Sequence, residues 1–104
     1  MVKHIILWQL AEEYKTEEIK KGIKEGLESL QGKIPGMIDI HVQIDCLESS
    51  NADALLITTF EDEESLKGYA VHPEHVAIAN TKVRPYTCSR VCMDYEDQSF
   101  LNIA

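Results

Sequence analysis

Residues Lys3 to Leu10 alternate in a way that few folds accommodate, with His4, Ile6, Trp8 and Leu10 on one face of a strand and Ile5 and Leu7 on the other. A strand that is apolar on both faces needs cover on both sides, whereas an antiparallel sheet commonly leaves one face wet. The rest of the chain has to supply that cover, or a partner does.

The segments that follow are short and well punctuated. Thr16 is an N-cap ahead of Glu17 and Glu18, where negative charge meets the positive end of a helix. Ile19, Ile23, Leu27 and Leu30 then form one apolar stripe. Gly22 and Gly26 interrupt this helix at four-residue spacing, at a cost of roughly 1 kcal/mol each, and are expected to allow close approach to a sheet. Gly32 and Pro35-Gly36 end it. Met37 to Leu47 alternates, with Ile38, Ile40, Val42, Ile44 and Cys46 against Asp39, His41, Gln43 and Asp45. After a polar turn at Glu48 to Asn51, the apolar run Ala54 to Phe60 completes a hairpin. Asp62 caps a second helix with Leu66, Tyr69 and Ala70 inward. Pro73 breaks it and opens a further helical stretch to about Lys82. In the last strand, Tyr86 to Glu96, Val91, Met93 and Tyr95 alternate against Cys88, Arg90, Cys92 and Asp94.

The order strand, helix, strand, strand, helix, strand is the split βαβ arrangement. It predicts an α+β, ferredoxin-like βαββαβ fold: a four-stranded antiparallel sheet with its helices on one face. Helices on one side leave the other sheet face bare, so a homodimer is expected, two sheets meeting through the face that carries His4, Ile6 and Trp8. The 104 residues fit a single domain, 1–104.

Charge and cysteine usage narrow the partners. A net charge of −8 repels phosphate backbones and anionic lipid, which argues against nucleic acid. Apolar runs such as Ile5 to Trp8 fall far short of the ~20 residues of a membrane span. Without a secretory pattern after Met1, the expected location is cytoplasmic. Cys46, Cys88 and Cys92 contain no CxxC and have no histidine at zinc-ligand spacing, so reduced thiols are expected, with no metal and no cofactor. Cys88 and Cys92 on one strand lie ~13 Å apart, beyond disulfide reach. Four histidines, His4, His41, His72 and His75, are available as general acids or bases.

Taken together, Val2-Lys3-His4-Ile5-Ile6-Leu7, Lys33-Ile34-Pro35-Gly36, Phe60-Glu61-Asp62, Tyr69, His72-Pro73-Glu74-His75 and Arg84-Pro85 resemble the stress-responsive A/B barrel (Dabb) proteins across nearly the whole chain. The resemblance implies a dimeric α/β barrel. The family includes plant stress-induced proteins, bacterial proteins of undefined activity and a plant polyketide (olivetolic acid) cyclase that closes a linear chain by aldol condensation. By that likeness His4, Tyr69 and His75 match pocket residues of the cyclase, while Leu27 stands where it has a second pocket tyrosine and Tyr14 lies in the preceding loop.

Two functions follow as expectations. In one, a cavity walled by Ile6, Trp8 and Leu10, with His72 beside it, holds a small apolar or aromatic ligand without chemistry. In the other, His75 acts as base, His4 orients it and Tyr69 donates to a developing oxyanion, in a cofactor-free cyclase, isomerase or lyase working on a carbonyl. A quinol monooxygenase of related architecture is a third possibility.

Overall fold

The computed structural model describes residues 1–98. Strand β1 runs Val2–Leu10, β2 Met37–Gln43, β3 Ala54–Phe60 and β4 Thr87–Glu96. Helix α1 spans Glu17–Glu28, α2 Glu63–Val71 and α3 Pro73–Ile78, the last continuing into a π-helical turn, Ala79–Val83. The strands form one antiparallel sheet in the order β2-β3-β1-β4, the ferredoxin-like arrangement that the order of elements predicts.

Local chemistry sets the element boundaries. Thr16 accepts the Ile19 N–H and Asp62 accepts the Ser65 N–H, each closing a helix N-terminus. Ile23 and Leu27 are buried on the inner side of α1, and full burial of such a side chain contributes about 1.5–3 kcal/mol. Side chains of α1 and the turn after it also satisfy the free edge of β2. Glu28 accepts the Val42 N–H at 2.9 Å, Lys24 donates to the Val42 carbonyl at 2.6 Å, and Gln31 bonds both Ile38 and Ile40. An open strand edge that would otherwise invite pairing is thereby covered.

The helices cover the face of β1 that holds Val2, His4, Ile6, Trp8 and Leu10, all buried. The sequence expectation had this face meet a partner sheet; the structure reverses that assignment. Because β1 is apolar on both sides, its alternation alone does not choose a face. Its neighbour β4 does: Arg90, Cys92 and Asp94 stand beside Trp8, Ile6 and His4, while Val91, Met93 and Tyr95 stand beside Leu7, Ile5 and Lys3 on the outer side. Outward there lie Leu7, Val91 and Met93, all exposed, with Ile5, Leu55 and Ile57 partly so.

Two glycine expectations also need revision. Gly26 packs against α3 rather than the sheet, since a Cβ there would come 3.1 Å from Ile78 Cγ2, and Gly22 has no neighbour within 4 Å. Ile38 sits at an irregularity in the β2–β3 register and faces solvent, so the inward residues of β2 are Met37, Ile40 and Val42.

Gly36 is held most tightly. Its φ is +78°, and a Cβ would fall 1.9 Å from Ser65 Oγ and 2.5 Å from Ser65 Cβ, so rotating the hydroxyl gives no relief. Gly32, at φ +82°, has open space around it. Gly36→Ala is therefore expected to destabilise by about 2–4 kcal/mol, combining left-handed strain with overpacking. Gly32→Ala should cost only about 1–2 kcal/mol. Urea unfolding of the two variants checks the difference, and equal losses would contradict the Ser65 contact.

Candidate functional site

A cavity of about 750 Å³ opens between the β1–β4 half of the sheet and the α2–α3 helices, within the range of small-molecule sites. Three features of the chain build it. The β1–β4 register sets His4 opposite Asp94. Helix α2 turns Tyr69 inward, where it is 2% exposed. Pro73, in the first turn of α3, breaks the helical path and returns His75 toward Tyr69.

Tyr69 is the hub. Its ring lies 4.0 Å from that of His75 at an interplanar angle of 31°, 5.2 Å from Phe60, and 5.9 Å from His4 in an edge-on contact. The residues His4, Tyr69 and His75, separated in sequence, line one cavity together with Ile6 and Trp8. Leu27 lines it too, so an aliphatic group stands on the α1 side.

Two expected lining residues fall elsewhere. Leu10 is buried in the core rather than in the cavity wall. His72 is a cap: its Nδ1 accepts the Glu74 N–H at 3.2 Å, which satisfies a donor freed at the start of α3. His41 lies on β2, 3.4 Å from Gln43, also away from the cavity. Tyr14 packs edge-on against Tyr86 at 5.0 Å.

The electrostatics divide the cavity into an apolar floor and a polar end. Among the described residues, the Tyr69 hydroxyl and His75 Nδ1 are buried without a hydrogen-bond partner. Burial pushes the Tyr69 phenol well above its usual range, with Arg90 opposing, so it stays a donor at neutral pH. Burial likewise lowers the His75 imidazole, opposed by the backbone at Ala70 and reinforced by Arg84 and His4. At the polar end His4 Nδ1 contacts Asp94 Oδ1, and Cys92 Sγ lies 3.7 Å from His4 Nδ1 and 3.5 Å from Asp94 Oδ1. Burial and then Asp94 raise the Cys92 thiol. Arg84, Arg90 and Lys67 add cationic groups to the rim.

Asp94 and Cys92 are the site residues that sequence reasoning overlooked. Separations of 90 and 88 residues from His4 hide them from any spacing rule. The available signal was the alternation of β4, which puts both on one face with Arg90.

A description of the stress responsive A/B barrel domain matches residues 2–97. The chain belongs to that family. Solved structures share the fold. A dimeric protein of unknown function and ferredoxin-like fold from Bacteroides fragilis is 33% identical, with a TM-score of 0.84 over 92% of this chain and 95% of that one. A dimeric ferredoxin-like protein of unknown function from Thermobifida fusca is 22% identical, TM-score 0.82, over 92% and 90%. The hydroxynitrile lyase of Passiflora edulis shares the fold at 16% identity, TM-score 0.78, over 93% and 94%. No curated protein matches the A/B barrel chain. Among the described residues no helix is long and apolar enough to cross a membrane.

Proposed function

We propose that this A/B barrel chain, one domain over residues 1–104, forms a cytoplasmic homodimer that binds a small apolar or aromatic molecule bearing a carbonyl or hydroxyl oxygen. The observation that carries the reading is the pair of buried, unpartnered polar atoms, Tyr69 Oη and His75 Nδ1, on two residues that line a cavity whose apolar wall includes Ile6, Trp8 and Leu27. A buried polar group without a partner costs about 1–3 kcal/mol. A ligand oxygen seated against the Tyr69–His75 stack would recover part of that, while its apolar body fills the wall. The dimer reading rests on the outer apolar face of the sheet and on relatives described as dimeric.

Trp8 is the chain's only tryptophan and lines the cavity, so its fluorescence reports occupancy. Aromatic ketones and phenols are expected to bind up to about tenfold tighter than hydrocarbons of the same shape, the value of one hydrogen bond. Tyr69→Phe keeps the ring and should abolish that preference. A panel that leaves Trp8 emission unchanged, or a Tyr69→Phe variant with intact preference, would overturn the proposal.

One contact favours a second reading, general acid–base chemistry on a carbonyl compound. A carboxylate bonded to one nitrogen of an imidazole orients the ring and stabilises its protonated form, and here Asp94 is bonded to His4 rather than to His75. In this reading His4, held by Asp94, and His75 supply the acid and base, and Tyr69 donates to the oxyanion.

A further inference from the structure

We infer that His4, Cys92 and Asp94 form a binding site for a zinc-class divalent cation at the polar end of the cavity, with an open coordination position facing the ligand space. This goes beyond the binding reading above and does not depend on it. The three side chains each offer a ligand atom, and those atoms lie within 4.8 Å of one another. Metal–ligand bonds of about 2.0–2.3 Å in a tetrahedral arrangement require ligand atoms about 3.3–3.6 Å apart. The Cys92 Sγ to Asp94 Oδ1 separation of 3.5 Å falls within that range, and the Cys92 Sγ to His4 Nδ1 separation of 3.7 Å lies about 0.1 Å beyond it. Only the His4–Asp94 contact has to open, by under about 1 Å.

Donor chemistry selects the ion. One thiolate, one imidazole and one carboxylate suit a borderline-soft cation such as Zn²⁺, whereas Mg²⁺ and Ca²⁺ call for oxygen ligands throughout. Three protein ligands leave a tetrahedral ion with a fourth position, and because all three residues line the cavity, that position is open to it. His4 is buried and fixed on β1, while Cys92 and Asp94 are exposed on β4, so an ion has a path in. Arg90, on the same face of β4, opposes a cation; the Asp94 carboxylate offsets it, and Cys92 adds a second negative charge once the ion displaces its proton. The same His4 nitrogen serves Asp94 in the acid–base reading, so an ion there and a His4–Asp94 hydrogen bond exclude one another.

Co²⁺ is a spectroscopic stand-in for Zn²⁺. The full chain, kept reduced with a phosphine and titrated with Co²⁺, should develop a thiolate-to-metal charge-transfer band that saturates at a single ion per chain at sub-millimolar concentration and disappears on adding Zn²⁺. Cys92→Ser should lose the band, Asp94→Asn should weaken binding at least about tenfold, and the double variant Cys46→Ser, Cys88→Ser should keep both band and affinity. Both Cys92 and Asp94 are exposed, so their variants retain the fold. A wild-type chain without a saturable band, a band that survives Cys92→Ser, unchanged affinity in Asp94→Asn, or loss with the other two cysteines would each overturn the site.

Discussion

Replacing Val91 and Met93 with lysine is expected to halve the particle mass seen by light scattering at micromolar concentration. These side chains are 63% and 65% exposed and stand beside Leu7, itself 42% exposed, and Ile5 respectively, on the outer face of the sheet. A two-fold axis through that face would bury both copies of each residue in one step. A lysine placed there twice has to lose its water with no carboxylate opposite, at a cost of several kcal/mol per ion. The dissociation constant should rise at least about 1,000-fold, since each 1.4 kcal/mol is tenfold. The fold itself should persist, because neither side chain belongs to the core. Val71, 75% exposed on α2, supplies the control: Val71→Lys should leave the mass unchanged. A wild type of monomer mass, or a dimer that survives both lysines, would refute assembly through this face.

The elements were legible in the sequence because each rests on contacts within a few residues. Thr16, Asp62 and Pro73 mark helix starts by their own chemistry, and the β2 and β4 alternations need no knowledge of the partner strand. What escaped was everything decided by pairing. Trp8 and Leu7 are both apolar, and only the register against Arg90 and Val91 assigns one to the helix side and the other to the outer face. His72 and His75 flank the same proline, yet one caps α3 through Nδ1 and the other stacks on Tyr69. A three-residue difference at a helix break turns a side chain through most of a revolution, and composition carries no trace of it. The Gly26 contact with Ile78 likewise depends on how α3 returns across α1. The family likeness supplied His4, Tyr69 and His75 as a group; Asp94 and Cys92 needed the β1–β4 register.

That register also separates the cavity from the outer face of the sheet. The cavity and its titratable groups lie on the helix side, and the apolar surface proposed for assembly lies on the other. Alternate residues of β4 thus face opposite ways: Arg90, Cys92 and Asp94 face the cavity, and Val91 and Met93 face outward. Variants on the outer face therefore probe assembly while leaving the cavity lining intact.

The chemistry reading makes the second strong claim. In the presence of poly-β-ketones or other enolisable carbonyl compounds, His75→Ala and Asp94→Asn are each expected to lower turnover by about 100- to 10,000-fold, the usual worth of a positioned acid or base. Asp94→Asn removes the charge that orients His4 while keeping its size, and His75→Ala removes the imidazole stacked on Tyr69. The pH profile tests His75. Burial lowers the His75 imidazole, so its neutral form persists through neutral pH and gains a proton only below the ordinary histidine value of about 6.5. If His75 is the base, the rate stays flat from neutrality down to about that pH and falls only beneath it, and the Asp94→Asn variant retains the position of that limb. A rate that stays flat well below that pH rules out His75 as the base. Should no carbonyl compound turn over, or should both variants match the wild type while ligands still shift Trp8 fluorescence, the acid–base reading fails and the binding reading stands alone.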